Sequence, residues 1–156
     1  MDLLTQHQDE QARLGIRHIV VGVDDSAASL HALKWAARLA AALGARITAV
    51  EAHRTAALYT LASDAATVTT RETSLREMAA DMASYGVAID SRVSPGSPGV
   101  VLVDASRDAD LLVVGGSSHG ILPDPTIVSI STHVLRHAYC PVVVVPLSKG
   151  ELSAGE

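Results

Sequence analysis

Apolar positions along this chain follow two rhythms that take turns. Short continuous runs read as strands buried on both faces of a sheet. The first is Ile19-Val20-Val21-Gly22-Val23, and a second is Asp110-Leu111-Leu112-Val113-Val114-Gly115. Pro141-Val142-Val143-Val144-Val145-Pro146 reads as another strand, the last in the chain. Ala45 to Glu51 is a further strand, and Val87 to Val93 alternates like a strand with one wetter face. Between the runs the apolar residues recur at three- and four-residue spacing. Leu30, Leu33, Ala37, Ala40 and Leu43 predict a long helix. Ser26 stands where its hydroxyl can cap that helix, and Gly44 stands just past its end. Leu75, Met78, Met82 and Tyr85 predict a second helix closed by Gly86. Ser97-Pro98 opens a third, through about Ser106, and Ile127, Ile130, Val134 and His137 mark a fourth. Residues 52–66, rich in Ala and Thr, favour neither rhythm.

Strands alternating with helices in this way imply right-handed crossovers and a parallel sheet. The expectation is one doubly wound α/β domain over residues 17–147, with polar tails at 1–16 and 148–156. Ligands of such sheets bind beyond the carboxyl ends of the strands, where the strand order reverses. That directs attention to residues 22–26, 50–54 and 114–131.

Composition narrows the class. Hydrophobic residues make up 48% of the 156, yet there is no Phe and aromatics are 3%, so the core must be Ala, Val, Leu and Ile. With 19% charged residues the chain has enough apolar mass to fold. No apolar stretch approaches the ~20 residues of a membrane helix, and the polar start does not read as a signal peptide. One cysteine, Cys140, excludes an internal disulfide framework and a cysteine-based zinc site, and a reducing cytoplasm is expected. A formal charge of −5 argues against a nucleic-acid surface.

Three loops carry candidate chemistry. Val23-Asp24-Asp25-Ser26 ends a strand and starts a helix. Asp24 there is placed to accept from ribose hydroxyls, whereas Asp25 and Ser26 read as caps. Gly115-Gly116-Ser117-Ser118-His119-Gly120 would let backbone N–H groups approach an anion, or serve as an ordinary loop. It is neither a Walker pattern nor G-x-G-x-x-G. Ser129-Ile130-Ser131-Thr132 opens the fourth helix, and its hydroxyls suit either phosphate or capping. His133 and His137, one turn apart, read as solvated helix histidines rather than metal ligands. Cys140 reads as a small core residue and Trp35 as helix packing. No serine has the G-x-S-x-G context of a hydrolase nucleophile, and the chain is not read as a conventional enzyme.

Three stretches together resemble the universal stress proteins, over roughly residues 17–146. They are Ile19 to Ser26 with Leu33-Lys34-Trp35-Ala36, then Ala105 to Gly115, then Ser129-Ile130-Ser131 with Val134-Leu135 and Cys140 to Pro146. The resemblance agrees with the element order. The expected architecture is a five-stranded parallel sheet of order 3-2-1-4-5 with helices on both faces. Many members bind ATP through G-x-x-G, nine residues, then G-[ST]. Anchored on Gly115 and Ser129, the second glycine position is Ser118 and the third is Val128. A β-branched side chain there crowds the phosphates. The resemblance implies that Val23 and Val50 lie beside adenine and Asp24 beside ribose. It places Ser131, next to Ile130, near the phosphates. The site expected is therefore Val23, Asp24, Val50, Gly115, Ser118, Ser129, Ile130 and Ser131. With no aromatic ring placed there, a base would rest on aliphatic side chains such as Val50. The function implied is a bacterial stress-response regulatory or protective module that binds an adenine nucleotide, with ATP held weakly or not at all. The alternative is an ATP-binding switch with slow hydrolysis. The apolar last strand, Val142, Val143, Val144 and Val145, is expected to pair with a second copy across a two-fold axis.

Overall fold

The computed structural model describes residues 15–54, 61–116 and 125–147, with the side chains of 61–64 and 125–129 outside the description. Its strands are β1 (His18–Gly22), β2 (Arg46–His53), β3 (Ile89–Pro95), β4 (Leu111–Gly115) and β5 (Val142–Val145). The helices between them are α1 (Ala27–Leu43), α2 (Leu61–Asp81), α3 (Pro98–Ala105) and α4 (Pro125–His137). All neighbouring strands are parallel, in the order β3-β2-β1-β4-β5. The α/β architecture expected from the sequence is therefore the one observed.

The continuous apolar runs divide between two faces, because successive strand side chains point opposite ways. Ile19, Val21, Ile47, Ala49, Leu111 and Val113 face α1 and α2. There they meet Ala32, Leu33, Ala36, Ala37, Ala40 and Leu75. Val20, Val50, Leu112 and Val114 face α3 and α4, against Val101, Leu102, Ala105 and Val134. The alanines let α1 lie close to the sheet, which is how a core without Phe reaches close packing.

Local chemistry sets the ends of α1. Ser26, in extended backbone, accepts from the Ser29 N–H at 3.2 Å. Gly44, at φ 67°, takes the left-handed turn and donates its N–H to the Ala40 carbonyl. Pro98 occupies the first turn of α3 as expected, though the Ser97 side chain makes no capping bond.

The second helix differs from the sequence expectation. It begins at Leu61 and ends at Asp81, and Ala83–Tyr85 form a separate 3-10 turn that Gly86 closes at φ 68°. Residues 61–66 thus join a helix whose buried side chains against the sheet, Leu75 and Met78, come only later, with Met82 just past its end. The Thr69, Thr70 and Thr73 hydroxyls each donate to the carbonyl four residues back at 3.0 Å. β3 also runs later than expected, to Pro95 opposite His53. A proline is tolerated there because β3 is an edge strand. At the opposite end of the sheet, one Asp110 carboxylate oxygen accepts from the Arg17 and His18 N–H groups, both at 2.9 Å. Those two bonds hold its carboxyl below the usual carboxylate range and tie the start of β1 to β4.

Candidate functional site

The strand order reverses between β1 and β4, and a cavity of about 490 Å³ opens beyond their carboxyl ends. Six of the eight expected residues line it: Val23, Asp24, Val50, Gly115, Ile130 and Ser131. Of the other two, Ser129 lies in α4 with its side chain outside the description, and Ser118 lies outside the described residues.

Two glycines bring the strand ends close to the helices. A Cβ at Gly22 would fall 2.8 Å from Leu102 Cδ1, a side chain of α3. A Cβ at Gly115 would fall 2.7 Å from both the carbonyl carbon and oxygen of Ala28. The first turn of α1 therefore rests directly on the end of β4, and only glycine permits that approach. The carbonyl of Val50 accepts from the Val23 N–H at 2.9 Å, which pins the exit of β1 to β2.

Asp24 is held from several sides. Its Oδ1 accepts from the Ser26 N–H at 2.8 Å, an Asx turn that leads the chain into α1. The buried Ser29 hydroxyl accepts from the Asp24 N–H at 3.1 Å and donates to the Asp24 carbonyl at 2.8 Å. The carboxylate that shapes the loop is thus Asp24, while Ser26 caps α1 as expected. Asp24 is nevertheless exposed and lines the cavity, so its loop role and contact with a ligand are compatible.

The sequence reading missed a pair on the other wall. Glu51, next after Val50 on β2, is only 6% exposed, and its Oε1 accepts from the Arg71 guanidinium of α2. Burial pushes the Glu51 carboxyl up, Arg71 opposes that, and nearby Asp25 and Asp24 add to it. Glu51 and Arg71 both line the cavity. A signal for the pair did exist. Arg71 lies four residues before Leu75 and seven before Met78, on the stripe that faces the sheet. An arginine at such a position needs a carboxylate partner. Among the described lining residues, Asp24, Asp25 and Glu51 are acidic and Arg71 alone is basic.

The remaining sequence candidates lie away from the cavity lining. His133 and His137 stack at 4.5 Å, and His137 Nδ1 bonds the His133 carbonyl. Cys140 packs against the α3/α4 face of the core, and burial raises its thiol. Trp35 packs against the opposite core face. No described helix is long and apolar enough to cross a membrane.

Comparison with known proteins places the chain. The model of the universal stress protein family matches residues 15–146. A universal stress protein of Mycobacterium tuberculosis is 31% identical over 138 residues, which cover 81% of this chain and 46% of that protein. One from Mycolicibacterium smegmatis is 33% identical over 138 residues, covering 81% of this chain and 47% of that protein. The chain thus spans about half the length of these relatives. The universal stress protein UspA of Lactobacillus plantarum superposes with a TM-score of 0.71 at 23% identity, over 84% of this chain and 98% of that one. A universal stress protein crystallised in complex with cAMP gives a TM-score of 0.70 at 26% identity, over 86% of this chain and 99% of that one. With its reversed sheet order, its cleft and these matches, the chain belongs to the universal stress protein family.

Proposed function

We propose that this chain is a small dimeric stress-response module of the cytoplasm. Its cleft takes an adenine nucleotide with few phosphates, and ATP binds weakly or not at all. The observation that carries this reading is the charge of the described lining. Asp24, Asp25 and Glu51 face the space, and the single arginine there is already paired with Glu51. Such a wall repels a triphosphate more than a monophosphate or cyclic phosphate. The aliphatic residues Val50, Leu102 and Ile130 offer apolar area for a base, and Asp24 offers an acceptor for ribose hydroxyls. The related structure with cAMP supports a ligand of this size, and the absence of glycine at Ser118 and Val128 supports a reduced phosphate cradle.

Dimerisation belongs to the same reading. β5 is an edge strand, and Val144 on it is 37% exposed. An apolar edge of that kind calls for a covering partner, and a second copy supplies one. The single cysteine supports a reducing compartment.

Calorimetric titration with ATP, AMP, cAMP and adenosine tests the nucleotide reading. Binding of AMP or cAMP at least tenfold tighter than ATP is expected. Micromolar ATP binding would overturn it and favour the slow ATP-hydrolysing switch.

A further inference from the structure

Glu51 is the group in the cleft that packing does not explain. It lies on the β2 face that carries Ile47 and Ala49, where an apolar residue would avoid the desolvation that a buried carboxylate suffers. Its surroundings are charged. Arg71 of α2 donates to its Oε1, and Asp24 and Asp25 act on it from the turn between β1 and α1. On β3 its partner in register is the uncharged Val93, and His53 lies two residues further along β2. Glu72, next to Arg71 on α2, pairs with Arg76 of its own helix at 3.9 Å. The described lining therefore holds three carboxylates and one guanidinium, and the guanidinium is engaged by the most buried of the three. The Arg71 side chain is nevertheless 37% exposed, and a guanidinium has several N–H donors, so some remain for a ligand. What the pair lacks is net charge, because Glu51 cancels Arg71 at the short range where an anion would meet it.

We propose that Glu51 is a proton switch for anion binding in the cleft: ionised, it neutralises Arg71 and repels an anionic ligand, and protonated, it leaves the Arg71 charge to that ligand. The proposal rests on the nucleotide reading given above and adds its regulation. Burial pushes the Glu51 carboxyl up, and Asp25 and Asp24 add to that against the opposing pull of Arg71. The neutral form therefore becomes populated above the ordinary carboxylate range as pH falls. An anion bound beside Glu51 disfavours its charge further, so binding takes up a proton, and affinity rises as pH falls.

The test compares cAMP, a phosphodiester whose charge does not change between about pH 8 and about pH 5, with adenosine, which is uncharged throughout that range. Calorimetry on the full chain should show wild-type affinity for cAMP rising at least about fivefold from about pH 8 to about pH 5, while that for adenosine changes less than about twofold. Glu51→Gln, neutral at every pH, should bind cAMP at least about fivefold tighter than wild type at about pH 8 and lose the pH dependence. Arg71→Gln should bind cAMP at least about fivefold more weakly than wild type at about pH 5. Three results would each overturn the switch and leave the nucleotide reading standing. They are a wild-type cAMP affinity that does not rise in acid, Glu51→Gln no tighter than wild type at about pH 8, and Arg71→Gln equal to wild type at about pH 5. Wild-type protein binding neither ligand at either pH would overturn both. If Glu51→Gln fails to fold, as judged by thermal melting, the wild-type profiles decide, and an equal rise for adenosine and cAMP would overturn the switch.

Discussion

Gly115 separates a structural demand from a ligand demand. If the glycine exists only to let a phosphate approach, an added methyl leaves stability alone and reduces binding. The structure says otherwise. An alanine Cβ at 115 would meet backbone atoms of Ala28 at 2.7 Å, and those atoms belong to the capped first turn of α1. Neither side has a flexible end that can move away. Overpacking typically costs 1–3 kcal/mol, and a clash between two main chains belongs at the top of that range, about 3 kcal/mol. Gly22→Ala is the internal comparison. Its Cβ meets the Leu102 side chain at 2.8 Å, which can turn. The stiffer unfolded chain returns part of the loss, so the net cost should be about 1 kcal/mol or less. Urea unfolding followed by the fluorescence of Trp35, the only tryptophan, measures both. In melting temperature the Gly115→Ala loss corresponds to about 6–12 °C for a chain of this size. Gly115→Ala within about 0.5 kcal/mol of wild type, or Gly22→Ala the worse of the two, would refute the reasoning.

Other predictions follow from single contacts. Leu112→Ala removes a fully buried side chain at the centre of the α3/α4 face and should cost about 3 kcal/mol in the same unfolding assay. Asp110→Asn should cost about 1 kcal/mol at neutral pH, discounted for exposure. The native Asp110 pKa is lowered, so its stabilisation is present above its ordinary value and lost as pH falls through the lowered one. The gap between variant and wild type should therefore close in acid. Arg71→Ala strands Glu51 and should cost about 1–2 kcal/mol at neutral pH, since Arg71 is itself partly exposed. Glu51 is raised, so its charged form is penalised as pH rises, and this deficit should shrink as pH falls and Glu51 takes up a proton. Val144→Lys puts a charge on the β5 edge at an exposed position. It should change monomer stability by less than about 0.5 kcal/mol yet abolish dimers in light scattering.

Several features were legible in the residues alone, because they depend on neighbours within about one turn. The apolar runs at Ile19 to Val23 and Leu111 to Val114 read as strands buried on both faces, and Ser26 and Gly44 bracketed α1. The alternation of elements was enough to imply a parallel sheet with its ligand end beyond β1 and β4. It also brought Asp24, Gly115 and Ser131 under suspicion before any of them had a position. The start of α2 was not legible, since the Ala-rich residues 61–66 favour neither rhythm in the sequence. Nor was the meaning of Gly115, which depends on Ala28 lying against it from a helix far away in the chain. The Glu51–Arg71 pair joins residues 20 apart, on a strand and a helix whose contact no local preference encodes. Local sequence dictates which elements form, because backbone geometry and capping are short-range. The tertiary structure alone decided which side chains share the cleft, because that depends on how the carboxyl ends of β1, β2 and β4 meet the helices packed on both faces at the reversal of strand order.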